Sequence, residues 1–356
     1  MTVERPQRPL DTHIGRGMVV VWAPRHLGTR SAWLADQLGI ADVRFFAPTA
    51  ARGLRAAPLK YPRQFLASVI ALARRRPRVI LVQSPPSMAS WTVAAYATFS
   101  GAAFVVDAHS DAFERAFWNR PQWLNALVAR RAAAVIVTDE HWAARVRRLG
   151  GRPLVIPAVP TELAVEPPPP LDRGFNVAVV NTWAPDEPLA AVLDAAELVP
   201  SATFQVTGNR AGVAALGRSI PANVRFTGFL PEPTYHGLLA HAQAVICLTT
   251  RNHTMQNGAA EALYLGTPII TSDWPILRDY FSRGTEHVDN TARGIAAAVE
   301  KIMRDPDGYR AEIRALRDER REQWRRDRDK LLARIEGRLR GASRARIASG
   351  GAGGPP

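Results

Sequence analysis

Cysteine is nearly missing from these 356 residues. Cys247 stands alone, so no disulfide framework can form within the chain, and with no Cys/His cluster at ligand spacing a structural zinc lacks its donors. Acidic residues are missing from Val43 to Val106, where Arg44, Arg52, Arg55, Lys60, Arg63 and the run Arg74, Arg75, Arg76 and Arg78 all fall. Charge of either sign is missing from Val79 to Val106, a stretch long enough to cross a bilayer as one helix. Pro85 and Pro86 at its start, scattered Ser, Thr and Gln, and Gly101 near its end break it instead into strand (Val79 to Gln83), helix (about Met88 to Phe99) and strand (Phe104 to Asp107). No apolar run of signal-peptide length precedes Met18, so a cytoplasmic protein is expected. No repeat of solenoid period occurs, and no basic motif is interleaved with aromatics, so nucleic acid is not an expected partner.

The charge that is present is unevenly placed. The net +14 divides into 22 Lys/Arg against 10 Asp/Glu over residues 1–165 and 24 against 22 over the rest. A one-signed first half suits phosphates or an anionic membrane surface, and equally a solvated basic face. Lys60 to Arg76 sets Phe65, Val69, Ile70 and Leu72 beside basic residues, a pattern matching either a membrane-surface helix or one packed on its sheet.

The length suits two domains. Short β-rich apolar runs alternate with helical stretches, the signature of parallel sheets covered on both faces. Six strands are predicted between Met18 and Ile156 and five between Phe175 and Thr271. The proline-rich Pro157 to Gly174 lies between them. The expected domains are residues 1–165 and 166–340, the second ending in a long helix of mixed charge, followed by a flexible tail over 341–356.

Arg251 to Trp274 (RNHTMQNGAAEALYLGTPIITSDW) is the most informative segment. A strand leads through a polar loop ending at the donor-site candidate Asn257, and the small residues Gly258, Ala259 and Ala260 then open a helix carrying Glu261 in its first turn. Small residues there let a phosphate approach free N–H groups and the positive helix end, and a carboxylate one turn on can accept from the vicinal hydroxyls of a ribose. An ordinary loop with a helix-dipole glutamate has the same spacing.

The block GAAEALYLGTPIITSD resembles the donor-site signature of family 4 (group 1) glycosyltransferases. The resemblance implies that Glu261 binds the ribose and that Gly258 and Ala259 lie at the diphosphate. His253 stands where the family has its first glutamate. Val82 to Ser110 and Asn181 to Ala195, the latter containing Trp183, resemble segments of the chitobiosyldiphosphodolichol β-mannosyltransferases, which act on a lipid-diphosphate acceptor. The first family retains and the second inverts anomeric configuration, so the stereochemical outcome stays open. By resemblance His109 lies beside the transferred sugar, where an imidazole can bond a hydroxyl; Asp111 is the candidate base for an inverting reaction. The family's usual basic pair after the first strand of the second domain is missing between Phe175 and Pro200, which leaves Arg210, in the turn Thr207-Gly208-Asn209-Arg210, and Arg251 to neutralise a departing diphosphate. Gly28 and Arg30, after the first strand, resemble the acceptor-side glycine loop.

The resulting expectation is two Rossmann-like domains facing a cleft, the GT-B fold, with the C-terminal helix crossing back onto the first domain as the resemblance implies, that transfer a hexosyl or N-acetylhexosaminyl group from a nucleotide diphosphate sugar to a hydroxyl of a glycan or lipid-linked acceptor, peripherally at the inner membrane face. No cofactor is expected beyond the donor substrate. No metal is expected, because the Asp-x-Asp pairs at Asp305/Asp307 and Asp327/Asp329 fall after the donor motifs. Two rivals remain: a non-catalytic partner subunit that binds a nucleotide sugar or glycan, and an epimerase on the same fold.

Overall fold

The computed structural model describes residues 16–23, 29–46, 57–209, 212–213 and 216–350. It falls into two units. The first takes the chain up to Val159 and again from Trp324, and the second runs from Pro160 to Gln323.

In the first unit, strands β1 (Gly17–Val21), β2 (Asp42–Phe45), β3 (Val79–Ser84), β4 (Ala103–Ala108), β5 (Ala134–Val137) and β6 (Pro153–Val155) form one sheet in the order β2-β1-β3-β4-β5-β6. Every pairing is parallel. The connecting helices are α1 (Thr29–Gln37), α2 (Ala57–Arg75), α3 (Ser87–Ser100), α4 (Asp111–Glu114), α5 (Ala116–Asn119), α6 (Gln122–Arg131) and α7 (Glu140–Arg148). The charge-free stretch thus folds as β3, α3 and β4, with Gly101 in the left-handed conformation (φ 74°) ending the helix. Among the described residues, no helix is long and apolar enough to cross a membrane.

The second unit repeats the plan with β7 (Phe175–Val179), β8 (Ala202–Thr207), β9 (Val224–Gly228), β10 (Ala244–Cys247), β11 (Ile269–Ser272) and β12 (Thr285–Val288), ordered β12-β11-β10-β7-β8-β9. Its helices are α8 (Leu189–Leu198), α9 (Glu232–His241), α10 (Asn257–Leu265), α11 (Pro275–Tyr280) and α12 (Ala292–Arg304), and α13 (Pro306–Gly350) follows. This sheet has the doubly wound Rossmann order, in which the direction of winding reverses between β7 and β10. Ligands of such sheets sit beyond the strand ends at that reversal.

The strands are apolar because both faces of each sheet are covered. On one face of the first sheet, Val19, Leu81, Val105 and Ile136 pack with α1 and with Trp324, Leu331 and Ile335 of α13; on the other, Val20, Ile80 and Val106 pack with α3, α6 and α7. The core of the second unit joins Val177, Phe204 and Ile246 to α8 and α12.

The terminal helix passes into the first unit, as the resemblance implied: Trp324, Leu331 and Ile335 are buried in that unit's core. Two sequence expectations change. The division falls after Val159 rather than at 165. The stretch 341–350, expected as flexible tail, continues the helix, as its alanine and arginine favour. Sequence periodicity also missed β12, whose TEHV is too polar to read as a strand, and the short α11.

Candidate active site

The second unit's candidate residues gather beyond the carboxyl ends of β7, β8 and β10. Gly258 is where α10 crosses β7: a Cβ there would lie 2.8 Å from Val180 Cγ1, so only glycine permits the helix to seat on the strand end. Behind it lies the buried Cys247. Burial pushes its thiol well above the ordinary range, against the backbone N–H groups of Ala259 and Gly258 directed at its sulfur. The thiol donates to Gln256 Oε1 at 3.3 Å. The first-turn N–H groups expected to face a diphosphate therefore have an internal neighbour, a weak sulfur acceptor, and Asn257 is the exposed residue at the helix start.

Glu261 is the fifth residue of α10, one residue deeper than the sequence suggested, because the helix begins at Asn257 rather than Gly258. It is buried, and Tyr235 of α9 donates to its Oε2 at 2.8 Å. Burial raises its pKa to about 7; the Tyr235 bond opposes the shift and Glu232 adds to it. Tyr235 carried no sequence signal, since it comes from a helix 26 positions earlier.

The loop after β10 is laced to its neighbours. Thr249 Oγ1 donates to Asp186 at 2.7 Å, and the Thr249 carbonyl accepts from Trp274 Nε1 and Asn290 Nδ2 at 3.0 and 3.1 Å. Ser272 Oγ accepts from the Thr249 N–H and donates to Asn290. Arg251 follows, its N–H bonded to Thr249 Oγ1, and then His253, which holds a left-handed backbone at φ 55° with its N–H on Asn252 Oδ1. After β7, the Glu187 carboxylate gathers the N–H groups of Thr182 and Ala184 and so fixes the turn carrying Trp183. The Trp183 indole stacks on Phe226 (6.2 Å, 16°) and lies against Gly208, where a Cβ would come within 3.0 Å of Nε1. Gly208 has φ 103°, and the Trp183 N–H is buried with no hydrogen-bond partner among the described residues. Arg210 lies outside the described residues.

The first unit's candidates centre on Asp107, fully buried at the end of β4. Arg30 Nε reaches its Oδ1 at 3.1 Å, Ser31 Oγ donates to Oδ2 at 2.9 Å, and His109 Nε2 stands 3.5 Å from Oδ2, too poorly aligned for a hydrogen bond. Burial alone would raise this carboxyl; Arg30 and then His109 and Ser31 hold it well below the usual carboxylate range. Arg30 was expected on the acceptor side, but its guanidinium is committed internally to Asp107 and to the carbonyls of Ile156 and Pro157 at 2.7 and 2.8 Å. It opens α1 and points into the unit because a buried carboxylate waits there. Gly28 lies outside the described residues. His109 remains partly exposed. Asp111 opens α4 and is paired with Arg115 at 2.9 Å. Asp305 accepts from Gly308 N–H and Asp327 pairs with Lys330, local roles that account for both aspartates. No cluster of three or more His, Cys, Asp or Glu suited to a metal occurs among the described residues.

Residues 15–161 match the model of the glycosyl transferase 4-like domain and residues 177–305 that of the glycosyl transferases group 1. No curated protein matches the chain in sequence. Solved structures share its fold. Sucrose-phosphate synthase from Thermosynechococcus elongatus aligns at 15% identity and TM-score 0.66 over 94% of this chain and 100% of its own. Anabaena HepE in complex with UDP-glucose aligns at 16% and 0.64 over 88% and 91%. A putative UDP-N-acetylglucosamine 2-epimerase from Listeria monocytogenes aligns at 11% and 0.59 over 85% and 91%.

Proposed function

Given that this chain belongs to the group 1, family 4-like glycosyltransferases of the GT-B fold, we propose that it moves a hexosyl or N-acetylhexosaminyl group from a nucleoside diphosphate sugar to a hydroxyl of a lipid-linked or polysaccharide acceptor, without a metal, at an anionic membrane surface. The observation that carries the donor half is Glu261, a buried carboxylate on α10 beside the reversal between β7 and β10, with one oxygen held by Tyr235 and the other left to accept from a ribose diol. The UDP-glucose in the Anabaena HepE structure supports a donor of this class.

In this reading Glu261 fixes the ribose, and the diphosphate lies by Asn257 at the α10 start, within reach of the unpartnered Trp183 N–H and of the Gly208 turn. Arg251 neutralises charge that develops on the departing diphosphate, the main electrostatic task once water is excluded. His109 contributes a hydrogen bond to the transferred sugar or the acceptor, its ring standing 3.5 Å from the Asp107 carboxylate.

Calorimetric titration with UDP and GDP tests the assignment. Removing a hydrogen bond to a charged acceptor costs about 1.5–3 kcal/mol, so Glu261→Ala should weaken nucleotide binding roughly tenfold or more, and His109→Ala should abolish transfer while leaving that binding intact. Unchanged nucleotide affinity in Glu261→Ala sinks the donor assignment. Sugar isomerisation in the absence of any acceptor would favour an epimerase instead, and binding without turnover across a donor panel would favour a non-catalytic partner.

A further inference from the structure

A helix that covers a sheet ordinarily buries its apolar stripe and turns polar side chains to water. Over much of its length α2 does the opposite. Gln64 and Ser68 are buried: Ser68 Oγ receives the Trp22 indole N–H at 2.7 Å, and Gln64 Nε2 donates to the Phe46 carbonyl. Leu59, Phe65, Leu66 and Ile70 are exposed at 40–60%, and Phe99, in the last turn of α3, at 87%. Half of the large apolar side chains exposed among the described residues sit in this one region. Leu72, read from sequence as part of the same pattern, faces the core instead.

Two cavities open around Phe99 at the amino edge of the first sheet, of about 740 and 940 Å³. Arg131, Arg152, Arg334 and Arg338 line the first, and Arg76 and Arg78 the second. No acidic residue lines either, and no carboxylate pairs with any of the six among the described residues. Arg334 donates to the Pro153 carbonyl at 2.8 Å, and its pKa is lowered by burial and then by the neighbouring Arg152 charge. Like charges gathered without a counter-charge are unfavourable unless an anion comes to share them. Phe99 lines both cavities, and Phe65 and Tyr96 line the second, so the anion this region fits has an apolar portion joined to it.

We propose that this face docks on a bilayer bearing anionic phospholipids, with the α2 stripe and Phe99 entering the headgroup boundary and the arginines gripping lipid phosphates in the two cavities. An acidic protein surface could answer the arginines, but five apolar side chains spread along α2 and α3 next to the arginine-lined cavities match acyl chain beside phosphate. The inference deepens the reading of a lipid-borne acceptor, because it names the surface from which such an acceptor would be taken.

Co-sedimentation with vesicles of phosphatidylcholine, with and without an equal part of phosphatidylglycerol, tests it on the full chain. The protein should bind the anionic vesicles and not the neutral ones, more weakly as salt rises. At about 1 kcal/mol per basic residue near the surface, Arg152→Ala and Arg338→Ala should each lose roughly fivefold in vesicle affinity, and Leu66→Ser with Phe99→Ser should abolish binding. These positions are exposed, so melting temperatures and turnover of a water-soluble acceptor should be unchanged. The proposal is overturned by vesicle binding indifferent to these substitutions, by no binding to anionic vesicles, or by inorganic phosphate occupying the cavities of a protein that ignores vesicles. Loss of the docking face alone leaves transfer to a detergent-dispersed lipid acceptor intact. A protein that binds vesicles yet transfers to no lipid acceptor keeps this inference and loses the acceptor assignment.

Discussion

Glu261 sets the pH behaviour of the proposed donor site. Its pKa of about 7 in the folded protein lies above the ordinary 4.5, so the native state holds a proton that the unfolded chain has released between those values. Stability therefore falls as pH rises from about 4.5 to 7, by up to roughly 3 kcal/mol, since each tenfold difference in proton affinity is worth about 1.4 kcal/mol. A Glu261→Gln variant, with no proton to lose, should show a flatter profile of melting temperature against pH across that window. Accepting from a diol calls for the ionised form, so UDP or GDP affinity should strengthen as pH rises through 7 in the wild type but not in the variant. Asp107 has the opposite sign. Its depressed pKa contributes stability at neutral pH that disappears only in strong acid. Asp107→Ala strands the buried Arg30 guanidinium, and chemical denaturation should register a loss of about 3–5 kcal/mol from the first unit.

At the scale of elements, the seating of α10 on β7 decides whether the proposed donor loop can form. Adding a methyl at position 258 forces the helix away from Val180. Gly258→Ala is expected to cost about 1–3 kcal/mol as an overpacking change and to weaken nucleotide binding. Gly258→Ala combined with Val180→Ala should recover most of both, because the second change makes room for the first; no recovery in the double variant's melting curve would mean that the glycine serves something other than packing. The wiring of Thr249 to Ser272, Trp274 and Asn290 has a similar logic. Residues at the ends of two other strands, β11 and β12, hold the loop in place, so it is anchored to strand ends rather than being a free coil.

For the whole molecule, the decisive feature is α13, which leaves the second unit and buries Trp324, Leu331 and Ile335 in the core of the first. Full burial of side chains this size contributes about 1.5–3 kcal/mol each, so together they match the marginal stability of an entire domain. A chain ending at Gln323 should therefore keep the second unit folded and leave the first open to protease. Limited proteolysis that degrades both units alike, or neither, would contradict this division of labour.

Much of this was legible in the amino-acid order alone. Runs such as Val79 to Val82 and Val177 to Val179 are apolar on both faces, which only a covered parallel strand requires, and the small residues from Gly258 onward announced a helix there. Other features depend on partners distant in sequence. The indole of Trp22 and the carbonyl of Phe46 turn Gln64 and Ser68 inward and leave Leu66 outside; a carboxylate 77 positions away claims Arg30; Tyr235 finds Glu261 from another helix. Local pattern determined which segments became strands and helices, since backbone hydrogen bonding and periodic burial act within a few residues. Which face each helix buried, which charges found their partners inside, and which unit received the end of α13 were decided only by the tertiary structure, because the energies involved are those of contacts between segments that the sequence keeps apart.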